Sequence, residues 1–532
     1  MNIPDSIHCN DLHCTDPTHK EDRDALVLDL LTSTIEASFE TIPLTNGRRD
    51  NIIHKGRKHI PGWQEQVEPF RQDSLFWHSV WISSGKPRSG QLYNVMCWSR
   101  NKYHYAIRKL RKILNFNKAQ DLLDASNRGD IHLIAAMKEI KGTKAKGQIM
   151  PTCIEGETDP DNILNKFKEV YQALYNTAET RNAMNDIKVK LRAFIGSDSL
   201  KEVFKITGSV VMEASRKMKA GKSDVSGGYS SDVFLHGPSS LYETIAAIFR
   251  SFLIHGDVTD QLLCCAFLPL FKGGLKNPSK TDSYRAIAGS SQLLKLFDNV
   301  ILHLWGHMLA SDSLQFGYKV GTSTTQCSWL VTEVTDYYLK RGTPIVCVTL
   351  DCSKAFDMCK FSTLFQKLID RKMPSIVIRM LICVYVEQRG FTVWNGVKST
   401  YFDISNRTRQ GSVLSPTLFS VYIDDLLKEL RRAGNGCHIG GIWVGAAGYA
   451  DDLVLIAPSR SAMQSMLNIC ELYAQCHNLQ YSTNPVPALS KSKCIFMCGS
   501  TDKVYPKALT LFGMPLPWVE HGTHPGHEFH QS

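Results

Sequence analysis

Six consecutive apolar or β-branched residues, Ile345–Leu350, are followed immediately by Asp351. Such an uninterrupted run predicts a strand that is buried on both faces. A second apolar run, Leu453–Ala457, follows the acidic pair Asp451–Asp452, and the apolar patch Ile442–Ala447 precedes the pair. Two strand-like runs that flank an acidic pair predict a hairpin with the aspartates at its tip. The sequence therefore predicts a sheet that presents three carboxylates at its strand ends.

Adjacent carboxylates repel each other, and bound cations would offset that cost. Hard cations prefer oxygen ligands, and carboxylates from two strands suit two Mg²⁺ ions roughly 3.5–4 Å apart, with Mn²⁺ as an alternative. Asp351, Asp451 and Asp452 are therefore the candidate metal ligands and catalytic residues. The expected chemistry is attack of a 3′-hydroxyl on a nucleoside triphosphate with release of pyrophosphate.

A second segment, Tyr422-Ile423-Asp424-Asp425, has the same Tyr-x-Asp-Asp pattern as Tyr449–Asp452. Its apolar neighbours recur at helical spacing, and adjacent side chains on a helix diverge by about 100°. We predict that Asp424 and Asp425 belong to the polar face of a helix, whereas Asp451 and Asp452 abut strands.

Several segments, in this order, resemble the conserved blocks of LINE-type (non-LTR) retrotransposon reverse transcriptases. The three most specific are Asp351–Asp357 (DCSKAFD), Thr408–Pro416 (TRQGSVLSP) and Tyr449–Leu453 (YADDL). The resemblance covers the chain from about Leu75 to its end and includes further blocks at Lys219–Gly228, Tyr284–Ile287, Gln315–Thr325, Ser490–Met497 and Leu516–His527.

The resemblance implies an α+β fold: a right-hand polymerase with fingers and a ferredoxin-like palm, preceded by a helical N-terminal extension. It implies an RNA-directed DNA polymerase with Asp351, Asp451 and Asp452 as metal ligands. The partners it implies are an RNA template, a DNA primer or target, deoxynucleotides and the element's own RNA in a ribonucleoprotein. Family behaviour implies an intracellular protein of nucleus and cytoplasm.

The resemblance also implies nucleotide-binding roles. Phe356 matches an aromatic steric gate against a ribose 2′-hydroxyl, with an ordinary core Phe as the alternative. Gln410 and Gly411 match the pair beside the incoming nucleotide, where glycine permits close backbone approach. Lys272 and Arg285 match finger residues that neutralise the triphosphate, although Lys272 also fits a plain surface lysine.

Lys491 and Lys493 are both candidates to protonate the leaving pyrophosphate, and the sequence does not choose between them. Solvated surface lysines are the alternative for both. The choice depends on which ammonium group reaches the carboxylates.

The expected domains are an irregular remnant that follows a lost endonuclease (1–73), a helical basic extension (74–200), reverse transcriptase fingers and palm (201–500), and a truncated primer-grip segment with its tail (501–532). The missing endonuclease and most of the thumb are expectations from the family pattern. In the extension, apolar residues at helical spacing, Tyr103 to Leu114, alternate with Arg and Lys. This helix is interpreted equally well as a solvated surface or as a strip that tracks phosphates.

The composition adds weaker constraints. The formal charge of +10 over 532 residues fits a polyanionic partner without requiring one. The sixteen cysteines lie mostly in apolar runs, which indicates reduced core thiols, and no uncharged apolar stretch is long enough for a membrane helix. Cys9, Cys14 and His19, with His8 and His13, fit no zinc spacing well, so a loose polar N-terminus is expected.

Four functions remain to be compared. The first is a working RNA-directed DNA polymerase, and the second is a degenerate, non-catalytic relic that binds nucleic acid. The third is an RNA-directed RNA polymerase, against which Phe356 argues. The fourth is a group II intron-type maturase, whose accessory domain is not visible in the sequence.

Overall fold

The computed structural model of the chain describes residues 3–41, 63–127, 153–175, 181–196, 198–225, 228–273, 277–352, 355, 358–404, 412–484, 486, 489–498, 506–524 and 527–530. The chain divides into two compact units, one of Met1–Pro43 with Thr152–Ser532 and one of Leu44–Pro151. The described residues combine helices and sheets, which confirms the predicted α+β class. The four domain boundaries predicted from the sequence stay predictions.

The helices of the described residues are α1 (Pro17–Thr41), α2 (Trp63–Gln66), α3 (Glu68–Ser83), α4 (Gln91–Asn127), α5 (Pro160–Tyr175), α6 (Arg181–Phe194), α7 (Asp198–Val203), α8 (Gly208–Ser215), α9 (Asp232–His236), α10 (Ser239–His255), α11 (Gln292–Trp305), α12 (Thr324–Leu339), α13 (Phe361–Asp370), α14 (Ser375–Val386), α15 (Ser415–Ala433) and α16 (Arg460–Cys476). Short 3₁₀ helices cover Asp5–His8, Asp260–Leu263, Thr281–Ser283 and Gly306–Leu309.

The strands are β1 (Cys264–Phe271), β2 (Tyr284–Gly289), β3 (Ile345–Leu350), β4 (Arg389–Trp394), β5 (Val397–Lys398), β6 (Phe402–Asp403), β7 (His438–Ile439), β8 (Ile442–Trp443), β9 (Ala446–Tyr449), β10 (Asp452–Ala457), β11 (Lys493–Met497), β12 (Thr510–Leu511), β13 (Met514–Pro515), β14 (His521–His524) and β15 (His527–His530).

The sheet that carries the predicted carboxylates has the strand order β11-β3-β10-β9, and every neighbouring pair is antiparallel. Its strands are buried on both faces because side chains alternate between two apolar cores. Val346 and Leu455 face the larger core with α15 and α16, whereas Cys347 and Ile456 face a smaller core with α12. This double burial explains why the two apolar runs are uninterrupted.

A second sheet has the order β2-β1-β4-β5, with β6 also paired to β4. Helix α5 packs on this sheet through aromatic contacts: the Phe167 ring lies 5.1 Å from that of Tyr284 and 5.0 Å from that of Trp394. The Tyr175 ring stacks on Phe267 at 5.2 Å. Helix α5, which lies within the predicted extension 74–200, thus covers one face of this sheet.

The N-terminal segment is more regular than the sequence predicted. Helix α1 begins at Pro17, within the segment 1–73 that was predicted to be irregular. Asp16 accepts a hydrogen bond from the Thr18 backbone N–H at 2.9 Å, and proline suits the first helical position. Leu26 and Val27 enter the large core, so tertiary packing stabilises a helix whose own apolar periodicity is weak.

The unit Leu44–Pro151 contains α2, α3 and α4. Val67, Ala106 and Leu110 form its small core, with Tyr103 and Ile107 packed beside them, which confirms the predicted apolar face as far as Leu110. The basic side chains of α4 whose surroundings are described are all exposed: Arg100, Lys102, Arg108, Lys109 and Lys112. Within the described residues, no helix is long and apolar enough to cross a membrane.

Candidate active site

Strand pairing brings the three predicted carboxylates to one end of the β3–β10 ladder. Leu350 of β3 lies opposite Leu453 of β10 in an antiparallel register. Asp351 directly follows Leu350, and Asp452 directly precedes Leu453. Both carboxylates therefore lie at the same end of the paired strands. Asp451 occupies the turn of the β9–β10 hairpin. Both strands and the hairpin tip predicted from the sequence are confirmed.

The hairpin turn has an unusual backbone that a neighbouring glutamine holds. Ala450 has a φ of +58°, a left-handed conformation that residues with a Cβ rarely adopt. Gln315 is buried beside it: its Oε1 accepts from the Ala450 N–H at 2.9 Å, and its Nε2 donates to the Ala450 carbonyl at 3.2 Å. A Cβ on Gly317 would lie 2.2 Å from the Ala450 nitrogen, so only glycine fits there. These contacts fix the direction of Asp451.

The three carboxylates interact electrostatically. Burial, together with the neighbouring carboxylates Asp451 and Asp351, raises the pKa of Asp452 to about 6. Burial, reinforced by the charge of Asp351, also raises the pKa of Asp451 above its ordinary value. The side chains of Asp451 and Asp452 are half-buried. The site therefore concentrates negative charge that the protein itself neutralises only in part.

A single lysine contacts this acidic group among the described hydrogen bonds. Lys491 donates from Nζ to Asp351 Oδ2 at 3.2 Å, and its side chain is 68% exposed. Lys493 instead lies in β11 opposite Thr349. Ser492, between the two lysines, is fully buried and accepts a hydrogen bond from the Asp351 backbone N–H at 3.3 Å. The strand end that carries Asp351 is thus fixed by the segment that carries Lys491.

The donor set fits divalent cations. Three carboxylates supply only oxygen ligands, which hard cations prefer. Burial and neighbouring carboxylates raise the pKa of Asp451 and Asp452, and bound cations would offset that cost. Among the described residues, the three carboxylates are not a group whose ligand atoms all lie within 4.8 Å of one another.

The second Tyr-x-Asp-Asp segment lies on α15, as predicted. Asp424 is not on a polar face, however, because it is only 1% exposed and pairs with Arg371 and Lys428, each at 2.6 Å. Asp425 pairs with Lys367. A buried carboxylate requires such partners, and their positions cannot be deduced from helical spacing.

The predicted phosphate-binding residues lie on the other sheet. In the β1–β2 hairpin, Arg285 lies opposite Leu270, and side chains at alternate positions share a face. Lys272 and Arg285 are both exposed on the face that also carries the exposed Leu268 and Leu270. Lys272 donates from Nζ to the Asp282 carbonyl at 2.6 Å.

Phe356, Gln410 and Gly411 lie outside the described residues, so their predicted roles stay predictions. Conversely, sequence reasoning assigned no role to Gln315 or Ser492. Both belong to segments that resemble family blocks, Gln315–Thr325 and Ser490–Met497, and that resemblance was the available signal.

Comparison with known proteins identifies one domain of the chain. Residues 275–505 match the family model described as reverse transcriptase (RNA-dependent DNA polymerase), and this span contains all three aspartates. Residues 275–505 are a reverse transcriptase domain. Reverse transcriptases use divalent metal ions and act with nucleic acid templates and primers.

The relatives of this reverse transcriptase domain are themselves retrotransposon proteins. A Pol polyprotein from the type-1 retrotransposable element R2 of Nasonia vitripennis is 24% identical over 246 residues, 46% of this chain and 23% of the relative. The RNA-directed DNA polymerase from the mobile element jockey of Drosophila melanogaster is 26% identical over 242 residues, 44% of this chain and 25% of the relative. The probable polymerase from transposon BS of the same fly is 27% identical over 254 residues, 45% of this chain and 27% of the relative. The matched region thus spans about a quarter of each relative's length.

Proposed function

We propose that this chain is an RNA-directed DNA polymerase that extends a primer 3′-hydroxyl with deoxynucleotides on an RNA template. The observation that supports it most is the convergence of Asp351, Asp451 and Asp452 at one edge of a sheet inside the matched domain. In the reaction, the 3′-oxygen bonds to the α-phosphorus, the bond to pyrophosphate breaks, and the hydroxyl proton is released.

The order β11-β3-β10-β9, with α15 between β3 and β9 and α16 between β10 and β11, supports a ferredoxin-like palm. The hairpin β1–β2 with its exposed cations supports fingers in the second sheet.

Asp351, Asp451 and Asp452 would hold two divalent cations, Mg²⁺ in the first instance. Such cations, when bound, lower the pKa of the attacking hydroxyl and neutralise the triphosphate. Gln315 acts as a positioning residue, because it holds the Ala450 turn and hence the direction of Asp451. The remaining steps depend on side chains that meet the nucleotide.

Lys272 and Arg285 are proposed to contact the triphosphate from the exposed hairpin face, Arg285 through paired N–H donors. Phe356 would exclude ribonucleotides, and Gln410 with Gly411 would line the nucleotide position, as the family resemblance implies. Of the two candidate proton donors, we favour Lys491, because its Nζ already reaches Asp351 while Lys493 lies within β11. Lys491 would donate its proton to the leaving pyrophosphate.

The exposed cations of α4 support binding to a nucleic acid backbone. A relic without turnover would share this property. The two readings differ in turnover, so affinity alone does not separate them.

The decisive experiment is primer extension by the full chain on poly(rA) with an oligo(dT) primer, labelled dTTP and Mg²⁺. We expect incorporation that Asp451→Ala abolishes while binding of the primer–template persists. Incorporation by the wild type no greater than that of the variant would favour the relic. A Phe356→Val variant should admit ribonucleotides more readily, and ribonucleotide use by the wild type would contradict the steric-gate assignment.

A further inference from the structure

Four potential metal ligands from distant parts of the sequence converge at the end of α10. They are Cys9, Cys14, His19 and His255, and their ligand atoms all lie within 4.8 Å of one another. The first three are evenly spaced in the N-terminal segment, whereas His255 is the last residue of α10, more than two hundred residues later. The group is separate from the acidic site and has no role in the proposed polymerase reaction.

Local structure holds the three N-terminal ligands in place. Cys9 follows the 3₁₀ helix Asp5–His8, and the Cys14 N–H donates to the Asp11 carbonyl at 3.1 Å in a turn between the two thiols. Asp16 then caps α1, which places His19 in the first turn of that helix. Two turns and a helix start thus direct three side chains to one point.

Both imidazoles have the orientation that metal-binding histidines adopt. His255 Nδ1 lies 2.9 Å from the Ser251 carbonyl, so this nitrogen carries the proton and leaves Nε2 as the free electron-pair donor. That Nε2 is buried and has no hydrogen-bond partner. His19 Nδ1 lies 3.3 Å from Cys14 Sγ, while its Nε2 lies 3.8 Å from Asp16 Oδ2. Each ring therefore turns one nitrogen toward the group, and His255 also has an outer oxygen partner in the Ser251 carbonyl.

The spacing and chemistry fit tetrahedral zinc. Zn–S bonds of about 2.3 Å and Zn–N bonds of about 2.0 Å place neighbouring ligand atoms roughly 3.3–3.8 Å apart. Two thiolates would balance the charge of the dication, and an unpartnered buried nitrogen would gain a partner. We propose that Cys9, Cys14, His19 and His255 form a structural zinc site.

The site would join the N-terminal segment to α10, where other contacts already meet. Arg379 donates to the Leu12 carbonyl at 2.8 Å and to the Ile254 carbonyl at 2.7 Å, and Arg23 pairs with Asp257 at 2.7 Å. A metal cross-link across so long a loop removes chain entropy from the unfolded state. A cleft of about 430 Å³ lined by Cys14 and His255 provides a path for the ion.

The test uses the full chain purified without chelators, with zinc measured by atomic emission and the metal then replaced by Co²⁺. We expect bound zinc, and a cobalt derivative with ligand-field bands of a tetrahedral site and a thiolate-to-cobalt charge-transfer band. The charge-transfer band matters because a site built only from histidines, such as His521, His524, His527 and His530 of the tail, lacks it.

Cys14→Ser and His255→Gln should each remove the thiolate–cobalt signal of this site. His13→Gln and Cys476→Ser are the matched controls: both residues are exposed and outside the group, so they should retain the signal. Retention in the first pair, or equal loss in all four variants, would overturn the proposal.

A measurement on the wild type guards against variants that fail to fold. Thiol alkylation followed by mass spectrometry should modify Cys9 and Cys14 about tenfold or more faster after zinc removal, because a metal-bound thiolate is shielded. Cys476 should react at the same rate in both states. Equal reactivity of Cys9 and Cys14 with and without the metal would refute the site, as would their oxidation to a disulfide in protein that never retains zinc.

Discussion

The chain contains two Tyr-x-Asp-Asp segments with opposite electrostatic surroundings. In Tyr422–Asp425, on α15, the carboxylates are neutralised by Arg371, Lys428 and Lys367. In Tyr449–Asp452, at a hairpin tip, burial and mutual repulsion raise the pKa of both aspartates. The same four-residue pattern is thus a structural ion network in one place and a concentration of uncompensated charge in the other. The difference lies in the partners that tertiary structure supplies.

The largest expected effect is on catalysis and is confined to the hairpin segment. Asp452→Asn should lower primer extension by roughly a thousandfold or more, the scale on which loss of charge stabilisation in a transition state is felt. Asp425→Asn is the matched control on the helix. It should retain activity, because the Asp425 side chain on α15 pairs with Lys367 and has no role in the acidic site. Single-turnover extension with saturating primer–template is the measurement. Comparable losses in both variants would remove the distinction between the two segments.

For the stability of the fold we expect the opposite: substitution in the helical segment should cost more than substitution in the hairpin segment. Asp424→Asn leaves Arg371, which is 17% exposed, without its charged partner, and loss of one member of a buried ion pair costs about 3 kcal/mol or more. The midpoint of urea unfolding should fall accordingly, whereas Asp452→Asn should not lower it. A stable Asp424→Asn protein would mean that the helical network contributes little.

The two segments also show what a sequence reveals and what it leaves out. Apolar periodicity identified the strand Ile345–Leu350, the hairpin tip and the helical setting of Asp424 correctly, because these depend on neighbours along the chain. The clamp by Gln315 on the turn was missed, since it joins residues far apart in sequence. Burial of Asp424 was missed for the same reason.

The N-terminal segment provides the same lesson. Spacing among Cys9, Cys14 and His19 matched no zinc pattern because His255, the fourth candidate ligand, lies on α10 and is remote in sequence. The start of helix α1 is set by the Asp16 cap, and apolar periodicity does not reveal it.

A smaller effect should distinguish the two candidate lysines. Lys491→Ala should reduce extension by roughly a hundredfold, the lower range for a general acid, whereas Lys493→Ala should retain most activity because Lys493 lies within β11. The stability of Lys491→Ala should change by less than about 0.5 kcal/mol, since exposed ion pairs contribute little. Single-turnover extension rates of the two variants provide the check. Equal rates for Lys491→Ala and Lys493→Ala would assign the proton transfer to another group.

The smallest expected effect is a gain in stability with a defined pH dependence. The pKa of Asp452 is about 6 in the folded protein against an ordinary 3.8, so between these values the folded state binds more protons than the unfolded state. Ionisation of Asp452 therefore destabilises the folded protein progressively as the pH rises through this window. The destabilisation is complete above about pH 6 and absent below about pH 4. In metal-free buffer at pH 7.5, Asp452→Asn should raise the free energy of unfolding by about 2 kcal/mol, after allowance for partial solvent screening. Near pH 4 the gain should disappear, which urea titrations at both pH values would reveal.

Asp425→Asn should give no such gain, because Lys367 already compensates that carboxylate. Saturating Mg²⁺ should reduce the advantage of Asp452→Asn at pH 7.5, because the ion would stabilise the wild-type fold through the same carboxylate; an advantage that is independent of both pH and Mg²⁺ would show that Asp452 carries no uncompensated charge.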